Sequence, residues 1–129
     1  MKSVLVEPGK PAVLVDISPK DLSSAFDILS CAFPFDDSTA FIHSDNGIAE
    51  GLSPNRTFNG EIMPGPFYIL SVDSKGSFCS LSSELCLKYL NLFSIPEHFG
   101  PGRWKVTSSV EETEYAAIIK VKSEWVVES

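Results

Sequence analysis

Basic residues are scarce in this 129-residue chain: ten Lys and Arg stand against 17 Asp and Glu, for a net charge of −7. Binding to a phosphate backbone draws its affinity from clustered cations that release counterions. Here the cations are scattered, and the one local grouping, Arg103 with Lys105, is followed by Glu111, Glu112 and Glu114. That pattern argues against direct nucleic-acid backbone binding and fits a solvated acidic surface. Cysteine is also sparse. Cys31, Cys79 and Cys86 are odd in number and lack C-x-x-C spacing, so reduced thiols in a cytoplasmic protein are expected. With only His43 and His98 beside them, no closely spaced zinc-ligand pairs occur. No apolar run approaches the roughly 20 residues of a membrane span, and the opening run Val4–Val6 is too short for a signal peptide. Internal repeats, low-complexity segments, nucleophile elbows and phosphate-cradling loops are missing too.

What is present is core material. Hydrophobic residues make up 43% of the chain and include nine Phe, enough for one domain over 1–129 without metal or disulfide support. Val4-Leu5-Val6 and Ala12–Ile17 flank the turn Pro8-Gly9-Lys10-Pro11, which predicts an antiparallel hairpin. Ser18-Pro19-Lys20-Asp21 has the cap, the first-position proline and the acidic first turn of a helix start. Leu22, Ala25, Phe26 and Leu29 continue at helical spacing, with Lys20, Ser23, Ser24 and Asp27 on the wet face. Thr39–His43 predicts a strand ended by the turn Asp45-Asn46-Gly47, and Ile48–Pro66 is expected to be one irregular Gly/Pro-rich loop. Phe67–Val72 is the clearest central strand. Ser82 caps a second helix that ends before Pro96, and Trp104–Glu128 alternates in places as two or three strands. The expected fold class is α+β: a mostly antiparallel sheet with two helices packed on one face, in the order β-β-α-β-loop-β-α-β-β.

Four segments occur in sequence: Leu5–Pro11, Phe33-Pro34-Phe35-Asp36-Asp37, Gly51–Arg56 and Ser80–Glu84. Together they resemble an uncharacterised domain-of-unknown-function family of small proteins from phages and conjugative elements of Gram-positive gut bacteria. The resemblance covers about residues 2–96, dividing a family-like core (1–99) from a C-terminal strand extension (100–129). Ser53 stands where the family tends to place proline after the Gly-Leu pair. The resemblance implies a mobile-element origin, and by analogy a role in countering host defence. It implies no catalytic residue and no cofactor.

The candidate ligand-binding residues are Asn55, Arg56, Thr57, Phe67 and Tyr68. Arg56 is one of only two arginines and carries a planar fork of donors suited to phosphate or carboxylate; Asn55 and Thr57 add polar edges. Phe67 and Tyr68 could stack on a base. The plainer alternative pairs Arg56 with Glu50 or Glu61, leaves Asn55 to shape a turn and sends the aromatics to the core. Asp36 and Asp37 lack the further oxygen ligands of a cation site, so no metal is expected. Trp104 and Trp125 mark either a partner-binding edge or strands that complete a sheet. These readings point to a non-enzymatic binding protein that sequesters a small nucleotide-like ligand, as a possible homo-oligomer. The alternatives are a protein-binding inhibitor of a host defence enzyme that uses the Trp-bearing tail, and a small nucleotide-acting hydrolase.

Overall fold

The computed structural model describes residues 1–26, 28–35 and 37–128. Asp27, read above as a wet helix position, and Asp36, weighed above with Asp37 against a cation site, lie outside the described residues. The chain falls into two compact units, Met1–Glu97 and His98–Ser129.

The first unit is built on an antiparallel sheet whose main strands run in the order β2-β1-β7-β4-β3. They are β1 (Lys2–Val6), β2 (Val13–Asp16), β3 (Leu29–Ala32), β4 (Thr39–Ser44) and β7 (Phe67–Val72). The Pro-Gly turn joins β1 to β2 with Leu5 opposite Val13, as its sequence predicts. Strand β7 is central, flanked by β1 and β4, and a short β8 (Phe78–Cys79) pairs with its far end. Both faces of β7 are covered, which explains its nearly continuous apolar content. Phe67 and Ile69 join Val4, Val6 and Phe41 on one face. Leu70 joins Ala40 and Ile42 on the other.

The expectation of an α+β fold with two helices on one face is corrected. Strands account for 46% of the chain and helices for 13%, so the molecule is sheet-dominated. The helices also pack on opposite sides. Helix α1 (Pro19–Ser24) puts Leu22 into the Ala40/Ile42/Leu70 cluster, while α2 (Ser83–Leu92) puts Cys86 and Tyr89 into the Phe41/Phe67 cluster. Both N-caps are as read: Asp21 N donates to Ser18 Oγ at 3.1 Å and Leu85 N to Ser82 Oγ at 3.2 Å. Helix α1 nevertheless stops at Ser24. Leu29, taken above as its last apolar position, instead opens β3, where Leu29 and Cys31 pair with Ser44 and Ile42 of β4. An edge place on a two-sided core outcompetes extension of the helix to Leu29.

The segment 48–66 is corrected in the same way. It contains a hairpin of β5 (Pro54–Phe58) and β6 (Glu61–Pro64), with a bulge between Pro54 and Arg56. Phe58 and Met63 pack against the Phe41/Phe67 cluster, so this small sheet covers the α2 side of the core.

The second unit is a single long hairpin, β9 (Gly102–Glu112) and β10 (Ala117–Val127), with eleven paired positions. At its root Trp104 faces Trp125 edge-on, centroids 5.3 Å apart, and Trp125 Nε1 donates to Gly100 O at 3.3 Å. Gly102 has no room for a side chain, because a Cβ there would strike the Val126 carbonyl and sit 2.9 Å from Trp125 Nε1. Gly102→Ala should therefore loosen the root, costing about 1–3 kcal/mol locally. Loss of the Trp–Trp exciton couplet in circular dichroism, with the rest of the spectrum retained, is the expected readout.

Candidate functional site

The polar residues singled out at 55–57 lie in β5, not in an irregular loop, and the bulge there decides where they point. Asn55 is fully buried. Its Nδ2 donates to Val6 O at 2.9 Å and to Gly65 O at 2.8 Å, tying β5 to the end of β1 and to the turn before β7. Gly65 presents that carbonyl from a left-handed conformation (φ +73°), with Leu52 packed where a side chain would go.

Arg56 is 1% exposed. Its Nη1 donates to Asn55 Oδ1 at 2.9 Å and Asn55 O at 3.3 Å, with a longer contact to Glu7 O at 3.5 Å. Its Nη2 donates to Lys10 O at 2.7 Å and Phe93 O at 3.1 Å. The guanidinium thus joins the β1–β2 turn, the β5 bulge and the C-terminal end of α2, whose cap is Phe93. Nε is buried without a hydrogen-bond partner. Burial pulls the pKa of Arg56 down, and the nearby Glu97 carboxylate acts against it. The acceptors are carbonyls, not the Glu50 or Glu61 carboxylates weighed above; Glu50 instead accepts from Ser44 Oγ at 3.1 Å.

Thr57, on the exposed side of the same strand, is held by Glu97. Its N and Oγ1 donate to the two carboxylate oxygens at 2.8 Å each. The structure brings Asn55 and Arg56 together but separates the two aromatics. Phe67 is fully buried, stacks on Phe41 at 5.3 Å and meets Phe93 edge-on at 5.4 Å. Tyr68 points to the opposite face, against Phe26 at 6.1 Å. Burial first, then the charges of Glu7 and Asp21, raises its pKa.

A second polar cluster was not singled out as a unit by sequence. Asp37 Oδ2 accepts from Tyr89 OH at 2.6 Å and from Lys88 Nζ at 2.8 Å, while Oδ1 accepts from Thr39 N and Thr39 Oγ1. Thr39 Oγ1 also lies 2.8 Å from Tyr89 OH. Burial pushes the Asp37 carboxyl up, but the hydrogen bonds from Lys88, Thr39 and Tyr89 and the Lys88 charge outweigh it and hold the pKa at about 2. Burial and the bond to Asp37 raise the pKa of Tyr89. Lys88 Nζ lies 4.7 Å from the Phe35 ring centroid, completing a latch that ties Phe35, Asp37 and Thr39 to α2. No group of three or more His, Cys, Asp or Glu is placed to hold a metal among the described residues. No helix among them is long and apolar enough to cross a membrane.

The third feature is the hairpin of the second unit. Directly opposed residues share a face, so its register sorts the side chains into two sets. One face carries Trp104, Val106, Val110, Ile119, Val121 and Trp125, interrupted by Ser108, Ser123 and Glu112; the other carries Arg103, Lys105, Glu111, Lys120, Lys122 and Glu124 along with Ile118 and Val126. Beyond the Trp pair the apolar face is open: Val110 is 65% exposed, Ile119 69% and Val121 65%. The alternation at Ile119/Val121 and Trp104/Val106 was the sequence signal for it.

The fold and these sites describe a sheet-dominated module whose buried polar clusters hold its own elements together and whose hairpin carries an exposed apolar row on one face. Residues 1–94 match the family described as domain of unknown function DUF3846, and the chain belongs to that family. No curated protein and no solved structure matches the chain. The hairpin lies beyond the matched residues.

Proposed function

We propose that the protein is a non-enzymatic binding module that engages a protein partner through the apolar face of the β9–β10 hairpin. The resemblance to mobile-element proteins makes a host defence enzyme in the bacterial cytoplasm the partner class of choice. The observation that carries this reading is the exposed row Val106, Val110, Ile119 and Val121 on one face of a two-stranded ribbon. Such a ribbon, roughly 36 Å long and 10 Å wide, has a face on the order of 350 Å², which the apolar row shares with Ser108, Ser123 and Glu112. Apolar patches of about 300–600 Å² on otherwise polar proteins are often functional, and two strands alone are marginally stable in water. A partner laid on this face relieves both costs.

The rival reading, sequestration of a nucleotide-like anion, needs a cation turned outward, and the hydrogen bonds of Arg56 run to oxygens of its own chain. In pull-downs from host lysate, the wild-type chain should recover a stoichiometric protein, and the Ile119→Lys/Val121→Lys variant should lose it while keeping its fold. Equal recovery by that variant would remove the apolar face from the account.

A further inference from the structure

We infer that Thr57 forms a carboxylate-binding site plugged by the chain's own Glu97, and that its outside ligand is a glutamate-bearing peptide segment. Strand β5 pairs with β6 along one edge, and among the described residues no strand pairs with its other edge. Phe58 and Glu61 close the hairpin turn, so Thr57, one step back, turns its N–H away from β6. Thr57 thus offers two donors side by side, and Glu97 takes both. Its N and Oγ1 each lie 2.8 Å from a different carboxylate oxygen. A planar carboxylate matches such a pair, and hydrogen bonds to a charged acceptor are roughly twice as strong as neutral ones.

The charge behind this edge favours an anion. Arg56 is buried at the preceding position of β5, and its acceptors are backbone carbonyls and the Asn55 amide, which carry no net charge. It makes no ion pair among the described residues, and its Nε has no partner. The carboxylate whose charge acts on it is Glu97. A buried cation with no carboxylate in contact draws an anion to the nearby surface, because its field is little screened. The ligand touches Thr57, and Arg56 acts on it only through that field.

Glu97 has the properties of a plug that can leave. It is exposed, and apart from the two bonds to Thr57, residues 95–97 make no hydrogen bond among the described residues. Ile95 in the same stretch is 79% exposed and does not anchor it. Arg56 and Thr57 lie within the matched residues 1–94 and Glu97 beyond them, so the site is part of the family domain and its plug is not. Phe93, bonded to Arg56, tethers the plug nearby at high effective concentration, which an outside ligand must overcome. The ligand class follows from the occupant. A Glu side chain on an exposed, proline-containing stretch is what the site already holds. The site shares no residue with the hairpin face, so binding at the two places can fail separately.

The test follows the Thr57 backbone amide in nitrogen–proton correlation spectra of the full chain. The probes are acetate, a blocked peptide of residues 94–99, and the same peptide carrying Glu97→Gln. Thr57 and Glu97 are both exposed, so their variants keep the fold. In Glu97→Ala the amide should move upfield from its wild-type position. Acetate should bring it back saturably, half-way on the order of 10 mM, and the Glu-bearing peptide should do the same. With labelled peptide, fluorescence anisotropy should show Glu97→Ala binding at least about tenfold more tightly than wild type. Adding Thr57→Val to that variant should weaken binding about tenfold. An amide unmoved by Glu97→Ala, or equal effects of acetate and potassium chloride at matched ionic strength, would overturn the inference. So would a peptide that binds wild type and variant alike, a Gln-bearing peptide as tight as the Glu-bearing one, or a variant that takes acetate but not the peptide.

Discussion

Arg56→Ala should lower the stability of the 1–97 unit by about 3–5 kcal/mol, the largest effect expected of any polar substitution in the protein. The substitution removes donors from Lys10 O, Phe93 O and Asn55 Oδ1, which sit at 2.7–3.1 Å from the guanidinium. Each buried acceptor left without a donor costs about 1–3 kcal/mol. Against this stands the cost of burying the charge, with Nε unpartnered, which the alanine variant no longer bears. The difference stays large because three separate segments lose their shared tie. Arg56→Lys should lie between, since an ammonium has three donors but no planar fork to reach two carbonyls and the Asn55 amide together. Urea unfolding with an unchanged slope is the measurement. A loss below about 1 kcal/mol for the alanine variant would mean that the guanidinium does not hold these segments.

The second large effect belongs to Asp37, and it depends on pH. Its folded pKa of about 2 lies below the ordinary carboxylate value near 3.9, so the stabilisation is complete above that ordinary value and is lost as pH falls through about 2. The full shift corresponds to somewhat more than 2 kcal/mol. Because the Asp37 side chain is 19% exposed and Lys88 44%, solvent screening reduces the expected share to about 1–2 kcal/mol. Asp37→Asn keeps one acceptor but turns an amide toward Lys88 and Tyr89. The gap in unfolding free energy between wild type and this variant should be widest near neutral pH and should close between pH 4 and pH 2. A gap that is constant across that range would show that the carboxylate charge is not what the latch uses.

Sequence reasoning read some of this fold well, for local reasons. The Pro8–Pro11 turn, the Ser18 and Ser82 caps and the β7 run each announce themselves within a few residues, and the structure has all of them. The helix count was right but the layering was not, because side-chain periodicity shows that an element is amphipathic without saying which face of a shared sheet it covers. Leu29 fits a helical stripe and an edge strand equally well, and only its pairing with β4 decides between them. Glycine and proline in 48–66 disguised the β5–β6 hairpin, since Pro54 and Pro64 sit inside its strands.

The candidate site was harder. Arg56 is unusual in type and position, and that much was legible. Its partners were not, because Glu7, Lys10 and Phe93 lie 37 to 49 residues away and act through backbone carbonyls, which carry no residue signature. Glu97 on Thr57, 40 residues off, was hidden in the same way. The alternation in Trp104–Glu128 was legible as two or three strands, but the polar run from Thr107 to Ser109 and the acidic stretch near the turn hid that they are two continuous strands of eleven residues each. Their two faces became clear only once the register was known.

The chain holds two arginines of opposite fate, and that permits a direct measurement. Arg103 is exposed on β9, whereas Arg56 is 1% exposed within the core. Treatment of the native protein with phenylglyoxal, followed by peptide mass spectrometry, should label Arg103 readily and leave Arg56 unmodified until denaturant is added. Comparable labelling of both residues in the folded protein would contradict the account, because it would place the Arg56 guanidinium at a surface open to small molecules.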